Sequence, residues 1–126
     1  MNVPDGLRYS SDHEWVRSDD GRVRIGITDY AQDALGDVVF VSLPEIGARL
    51  EEHGVLGEVE STKSVSEIYA PVAGEVVAVN DALVKTPEQL NTDPYGDGWI
   101  CELVPANGDD VARLLDAAGY AQLIAG

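Results

Sequence analysis

Lysine is nearly missing from this chain. Of its 126 residues only Lys63 and Lys85 are lysines, and Lys and Arg together number 8 against 23 Asp and Glu. The formal net charge of −15 argues against nucleic acid and anionic membrane as partners, because phosphate is held through Lys and Arg. The plain consequence of such charge is solubility. Cysteine is just as scarce. A single Cys101 excludes an internal disulfide and points to a reducing compartment. No apolar run approaches the roughly 20 residues of a membrane span. The opening "MNVPDGLRYS" starts with Met and lacks the charged-then-apolar form of a signal peptide, so the cytoplasm is the expected location.

What is present is an ordinary globular mixture, 44% hydrophobic and 25% charged. The length suits one domain, residues 1–126, which should bury roughly two-thirds of its unfolded surface. Its core is expected over about 6–103 and a C-terminal helical segment over about 109–124. Short β-rich runs dominate. "LRYS", "HEWVR" and "RVRIGIT" read as strands, and Val23, Ile25 and Ile27 alternate onto one face. The turn signal at Asp19–Gly21 predicts a hairpin from about 14 to 27. In "TDYAQDALG", Thr28 can cap a short helix, Asp29 suits its positive end and Gly36 can stop it. Strands follow at 37–43, on either side of Thr62-Lys63, and at 74–80. "KTPEQLNTDPYGDG" reads as a loop with one helical turn, and "WICELV" as the last strand. Val111, Leu114, Leu115 and Ala118 have helical spacing, with Gly119 as the expected stop. "GDVVFV" at Gly36 and "GEVVAV" at Gly74 form a faint repeat, which fits two similar half-sheets facing each other. It is also a common way to write a strand.

Between those copies lies "GEVESTKSVSEIYAPVAGEVVAVN", with Lys63 where two strands meet. The Asn-Gly or Asp-Gly of a tight hairpin is absent, but Ser61, Thr62 and Ser64 can make hydroxyl-to-backbone turns. A solvated lysine at such a tip is a poor nucleophile unaided. An acylated lysine is the better functional reading, since acylation would leave an arm on a fixed hairpin. A plain surface lysine is the alternative.

These residues resemble a known family. "ESTKSVSEIYAPVAGEVVAVN" is similar to the lipoyl-attachment segment of glycine cleavage system H proteins, and "GLRYSSDHEWVR", "GITDYAQDALGDVVFVSLPEIG" and "NTDPYGDGWICEL" resemble further blocks of that family, in its order, over about residues 6–103. The resemblance implies a mostly β fold, the lipoyl/biotinyl-type barrel-sandwich hybrid of two small antiparallel sheets with short helices. It implies lipoate as cofactor, joined as an amide to Lys63 by lipoate-attaching enzymes. It implies a carrier, not an enzyme. The carrier would take an aminomethyl group from the pyridoxal-phosphate glycine decarboxylase (P protein) to the aminomethyltransferase (T protein), then be reoxidised by dihydrolipoamide dehydrogenase (L protein). A eukaryotic member would work in the mitochondrial matrix. Matched segment by segment, Glu14 and Glu67 correspond to acids that line a cleft for the loaded arm, where a carboxylate could bond the amine. Exposed strand acids are the alternative. The family often has Asp at the position of Glu67 and Ser at that of Asp12.

Other candidates have plainer roles. His13 and His53 lack metal-ligand spacing. Trp15 and Trp99 suit the core or its rim, and Cys101 suits a buried strand. Asp93 and Asp97 lack the spacing of a calcium loop and suit a turn. A biotin carrier would flank its lysine with methionines, where Thr62 and Ser64 stand here. A lipoyl domain of a 2-oxo acid dehydrogenase would show Asp-Lys-Ala. A lipoyl relay to other complexes and an unmodified interaction domain remain open on the same fold. A hydrolase using Cys101 and His13 has only their presence in its favour.

Overall fold

A computed structural model of the chain describes residues Met1–Gly126. Strands β1 (Arg8–Tyr9), β2 (Glu14–Asp19) and β3 (Arg22–Ile27) form an antiparallel meander. The expected face of β3 is buried, with Val23, Ile25 and Ile27 all in the core. Asp20 and Gly21 make the β2–β3 turn at φ 51° and 84°, the positive values that a two-residue hairpin requires. Trp15 lies directly across from Gly26. A Cβ at residue 26 would sit 2.6 Å from the indole, so glycine there makes room for Trp15. The buried indole N–H donates to the Pro94 carbonyl at 2.9 Å. Trp99 carries the Arg24 guanidinium 4.3 Å from its ring centroid. Both tryptophans thus serve the core and its rim, as expected.

Helix α1 (Asp29–Leu35) has the anticipated ends. Thr28 Oγ1 accepts the Ala31 N–H, and Gly36, at φ 83°, closes the last turn by donating to the Gln32 carbonyl. Then come β4 (Val38–Ser42), β5 (Arg49–Leu50), β6 (Val55–Ser61), β7 (Val65–Tyr69) and β8 (Gly74–Val79). Two single-turn helices, α2 (Ala82–Lys85) and α3 (Gln89–Thr92), precede β9 (Cys101–Pro105), and α4 (Asp109–Ala112) and α5 (Ala117–Ala125) end the chain. The long loop holds the one helical turn expected of it, α3, while α2 precedes it and ends at its first residue, Lys85. In "DPYGDG" the Asp93 carboxylate accepts the Asp97 N–H at 2.9 Å, so that acid shapes a turn.

All pairing is antiparallel, in sheets ordered β1-β2-β3-β9-β8-β5 and β4-β6-β7. Their inner faces share one core: Val16, Ile25, Val76 and Leu103 from the first meet Val41, Leu56, Val59 and Ile68 from the second. This is the barrel-sandwich arrangement expected, but its sheets are unequal rather than similar halves. The two repeat copies lie in different sheets, as β4 and β8. Each carries a register shift at the same place in the repeat, between Val38 and Phe40 in β4 and between Val76 and Ala78 in β8. A shared irregularity is harder to assign to strand composition than a shared "GxVVxV".

The C-terminus departs from expectation. One helix stopping at Gly119 is replaced by two, with an extended stretch between them. Leu115 forms a bridge with Tyr9, through N–H to carbonyl bonds of 2.8 and 2.9 Å in both directions, and a residue so paired cannot continue a helix. Asp116 then caps α5 by accepting the Gly119 N–H at 2.8 Å, so Gly119 lies in the first turn of a helix. A second, smaller core of Leu7, Tyr9, Trp15 and Tyr120 forms under α5.

Candidate functional site

Strands β6 and β7 stay paired up to Glu60 and Val65 and leave a short tip. Ser61 builds it. Its backbone N–H donates to the Ser64 carbonyl at 2.8 Å. Its hydroxyl oxygen accepts the N–H groups of Lys63 at 3.3 Å and Ser64 at 3.1 Å. Of the three hydroxyl residues expected to shape the turn, Ser61 is the one whose side chain does so. Thr62 instead donates its backbone N–H to the Asp37 carbonyl at 3.0 Å, which ties the tip to the start of β4. Lys63 is exposed and belongs to none of the ion pairs. Its stem runs over Gly36, where a Cβ would lie 3.2 Å from Lys63 Cε. That glycine thus ends α1 and clears space for the lysine.

Beside the tip is a groove of about 190 Å³ between the β1–β2 turn, α1 and β7. Glu14 and Glu67 both line it, together with His13, Tyr30, Leu35 and Ser66. Two of its edges run towards Lys63: Leu35 precedes the Gly36 under the lysine stem, and Ser66 follows the first residue of β7. A larger cavity, about 530 Å³, lies at the sheet edge by β5 and β8, where its charged residues Arg49 and Glu75 pair at 3.7 Å. None of the candidate site residues lines it.

The two acids differ. Glu67 is exposed on β7 and stands directly across β6 from Glu58, a like-charge pair with no cation between. Glu14 is no exposed strand acid, since only 2% of it meets solvent. It accepts the Ser10 O–H at 2.6 Å. Burial pushes its carboxyl up to about 7, against the hydrogen bonds from Ser10 and the Tyr69 backbone, with Asp12 adding a smaller upward push. Burial also lowers the His13 imidazole, opposed by Asp12, so the ring in the groove wall tends to be uncharged.

His13 sits at φ 72°, in the left-handed region. Its Nδ1 is 2.8 Å from the Tyr120 hydroxyl, which lies 2.7 Å from Thr28 Oγ1. Sequence reasoning did not single out Ser10 or Tyr120. Ser10 lies in the matched "RYSSDHEW" block, but no local pattern points to Tyr120. His53 is exposed and lies 3.4 Å from Asp12. Cys101 is buried in β9, and burial first, then Glu102, pushes its thiol up to about 12, which suppresses the thiolate a hydrolase would need.

Comparison with known proteins bears on what this arrangement serves. Residues 7–126 match the family model for the glycine cleavage H-protein. A probable glycine cleavage system H protein of Natronomonas pharaonis is 56% identical over 125 residues, which is 99% of this chain and 98% of that one. A glycine cleavage system H protein of Thermus thermophilus is 53% identical over 124 residues, covering 98% of this chain and 97% of the other. The crystal structure of a glycine cleavage system H protein from Mycobacterium marinum superposes with a TM-score of 0.90 at 44% identity, over 98% of this chain and all of that one.

Proposed function

The chain belongs to the glycine cleavage H-protein family, and from that premise we propose that it is a single non-catalytic carrier domain whose Lys63 bears lipoate. The observation that carries the reading is the placement of Lys63. It is exposed, outside every ion pair, at the tip of a pinned hairpin, and it adjoins a groove that holds two carboxylates. The surroundings fit a covalent arm. The tip leaves the ammonium open to an attaching enzyme, and Gly36 gives the stem a clear path across the end of α1.

Attachment replaces an N–H of Lys63 Nζ by an amide bond to a lipoyl carboxyl. The attaching enzyme would supply the activated carboxyl, whose bond to its activating group breaks as the amide C–N bond forms; that group leaves with the enzyme, which also takes up the proton lysine loses. Once attached, lipoate supplies a disulfide able to accept an aminomethyl group and to be restored by oxidation. The chain presents Lys63 in turn to glycine decarboxylase, aminomethyltransferase and dihydrolipoamide dehydrogenase, the P, T and L proteins. Its tether keeps the cargo at high effective concentration on each of them. Glu14 and Glu67 would hold the cationic amine of the cargo in the groove, and such a cation beside Glu14 would favour its carboxylate over the acid, releasing the proton it carries. An uncharged His13 in the same wall adds no repulsion. These steps belong to the bacterial cytoplasm, or to the mitochondrial matrix in a eukaryote, and no helix is long and apolar enough to cross a membrane.

The test is Lys63→Arg. With Lys85 as the sole remaining lysine, the variant should fold normally, gain no lipoyl mass from a lipoate-attaching enzyme, and support no glycine-dependent turnover with the P, T and L proteins. A lipoyl adduct persisting on Lys85 would overturn the assignment.

A further inference from the structure

Tyr120 lies in α5, far along the chain from the groove, and is fully buried. Its ring stacks on Tyr9, with centroids 4.7 Å apart and planes within 11°. Packing alone would leave the phenolic oxygen free to be replaced by hydrogen. Instead that oxygen stands between two groups that hold opposite walls of the groove. One is His13 Nδ1, at 2.8 Å, in the β1–β2 turn. The other is Thr28 Oγ1, at 2.7 Å, the cap of α1.

Both contacts reach groove-lining residues. The His13 ring faces the cavity and rests 4.8 Å from the Tyr30 ring, and the Thr28 hydroxyl holds the N–H of Ala31, which also lines the groove. His13 adopts a left-handed conformation that a residue with a Cβ keeps only when its surroundings impose it. Its ring nitrogen is fixed by Tyr120 and its carbonyl by the Thr28 N–H at 3.1 Å. An uncharged imidazole can accept the phenol proton at Nδ1, while Thr28 can donate its own proton to the phenol oxygen. Each of the two contacts in the chain Thr28–Tyr120–His13 then has one donor and one acceptor.

We infer that the Tyr120 hydroxyl is a positioning group for the arm groove, through which the C-terminal helix sets the distance between the β1–β2 turn and α1. Tyr120 touches no cargo; it acts through His13 and Thr28. The inference rests on the carrier reading above and goes beyond it. It assigns the C-terminal helix to retention of the arm, separate from the attachment hairpin, which shares none of these contacts.

The experiment compares Tyr120→Phe with Tyr9→Phe in the lipoylated full chain. Each change removes one hydroxyl from the same small core, but the Tyr9 hydroxyl bonds the Pro4 carbonyl, outside the groove. Two readouts are needed. The first is release of the aminomethyl group after loading with glycine and the decarboxylase. Tyr120→Phe should release it about five-fold faster, the factor one ordinary hydrogen bond is worth, and Tyr9→Phe at the wild-type rate. The second is the His13 imidazole titration by NMR in protein without lipoate. Its midpoint should move up towards the ordinary value in Tyr120→Phe alone, with Asp12, Glu14 and Tyr30 still beside the ring. Lipoylation rates should match in all three proteins. If Tyr120→Phe behaves like Tyr9→Phe in either readout, Tyr120 is a packing residue and the inference fails. If wild type takes no lipoyl group at Lys63, the carrier reading fails instead, and the His13 titration alone decides whether Tyr120 sets the groove wall.

Discussion

Glu14 opens strand β2 with its carboxyl turned inward, and the consequence is a proton balance that depends on folding. The group holds its proton to about pH 7 in the folded chain, because burial disfavours the charge, against an ordinary value of 4.5. Below pH 4.5 both folded and unfolded chains carry the proton. Between 4.5 and 7 the unfolded chain has lost it while the folded chain keeps it, so stability falls as pH rises. Above 7 the loss is complete. The full span corresponds to a cost on the order of 3 kcal/mol. Glu14→Gln keeps the shape and an acceptor for the Ser10 hydroxyl but has nothing to ionise. The variant should therefore match wild type near pH 4.5 and gain on it steadily up to pH 7–8, where it should be more stable by up to about 3 kcal/mol. Urea unfolding at several pH values measures this difference. Parallel pH profiles for the two proteins would mean that Glu14 titrates like a solvated acid. A buried carboxyl that weakens the fold at neutral pH is explicable if the groove needs a charge there, which is how the carrier reading accounts for it.

At the scale of the element, the β6–β7 hairpin separates shape from chemistry. Its tip depends on one hydroxyl, Ser61, which accepts two backbone N–H groups and leaves Lys63 free. Ser61→Ala should cost about 1 kcal/mol of stability and slow lipoylation several-fold, since the attaching enzyme meets a less fixed tip. Moving the lysine by one place, with Thr62→Lys and Lys63→Thr, should slow it further, although the same amine is on offer. Both positions lie in the tip outside the strands, and the backbone of residue 62 is already tied to the Asp37 carbonyl, so the shifted amine leaves the turn from a different point. Initial rates of lipoyl transfer at matched concentrations test both. Wild-type rates in both variants would show that the tip geometry is not read. This hairpin, the β2–β3 hairpin and both ends of α1 were legible in the sequence because each depends on neighbours within a few residues: Asp20-Gly21 for the turn, Thr28 and Gly36 for the helix. What was not legible depends on distant partners. The break between α4 and α5 comes from Leu115 pairing with Tyr9, and nothing in "VARLLDAAG" announces it. The burial of Glu14 comes from groove walls supplied by three separate segments. Tyr120 reads as one more aromatic until its hydroxyl is found between His13 and Thr28.

The whole molecule carries its charge largely uncompensated. Few of the 23 acids lie in ion pairs, and Arg22 and Arg24 share a single partner, Glu102. Elsewhere like charges face each other, as Glu58 and Glu67 do across β6 and β7. A formal charge of −15 on so compact a chain repels itself, and unfolding relieves that repulsion by spreading the acids apart. Salt should therefore stabilise this protein. The radius of gyration of a folded chain of this length is about 14 Å. The screening length falls from about 30 Å at 0.01 M salt to about 10 Å at 0.1 M and 3 Å at 1 M. At the lowest salt every acid feels every other, and by a few tenths molar only neighbours interact. The thermal midpoint should thus climb most steeply below about 0.2 M NaCl and flatten above it. Association with partner enzymes should move the opposite way. On the carrier reading, so acidic a surface is steered to whatever basic face a partner offers, and its association rates should fall over the same range in which its stability rises. Scanning calorimetry and stopped-flow binding across one salt series measure the two together. A midpoint that does not rise would mean that the acids are already neutralised by bound cations, and the steering argument would then fail with it.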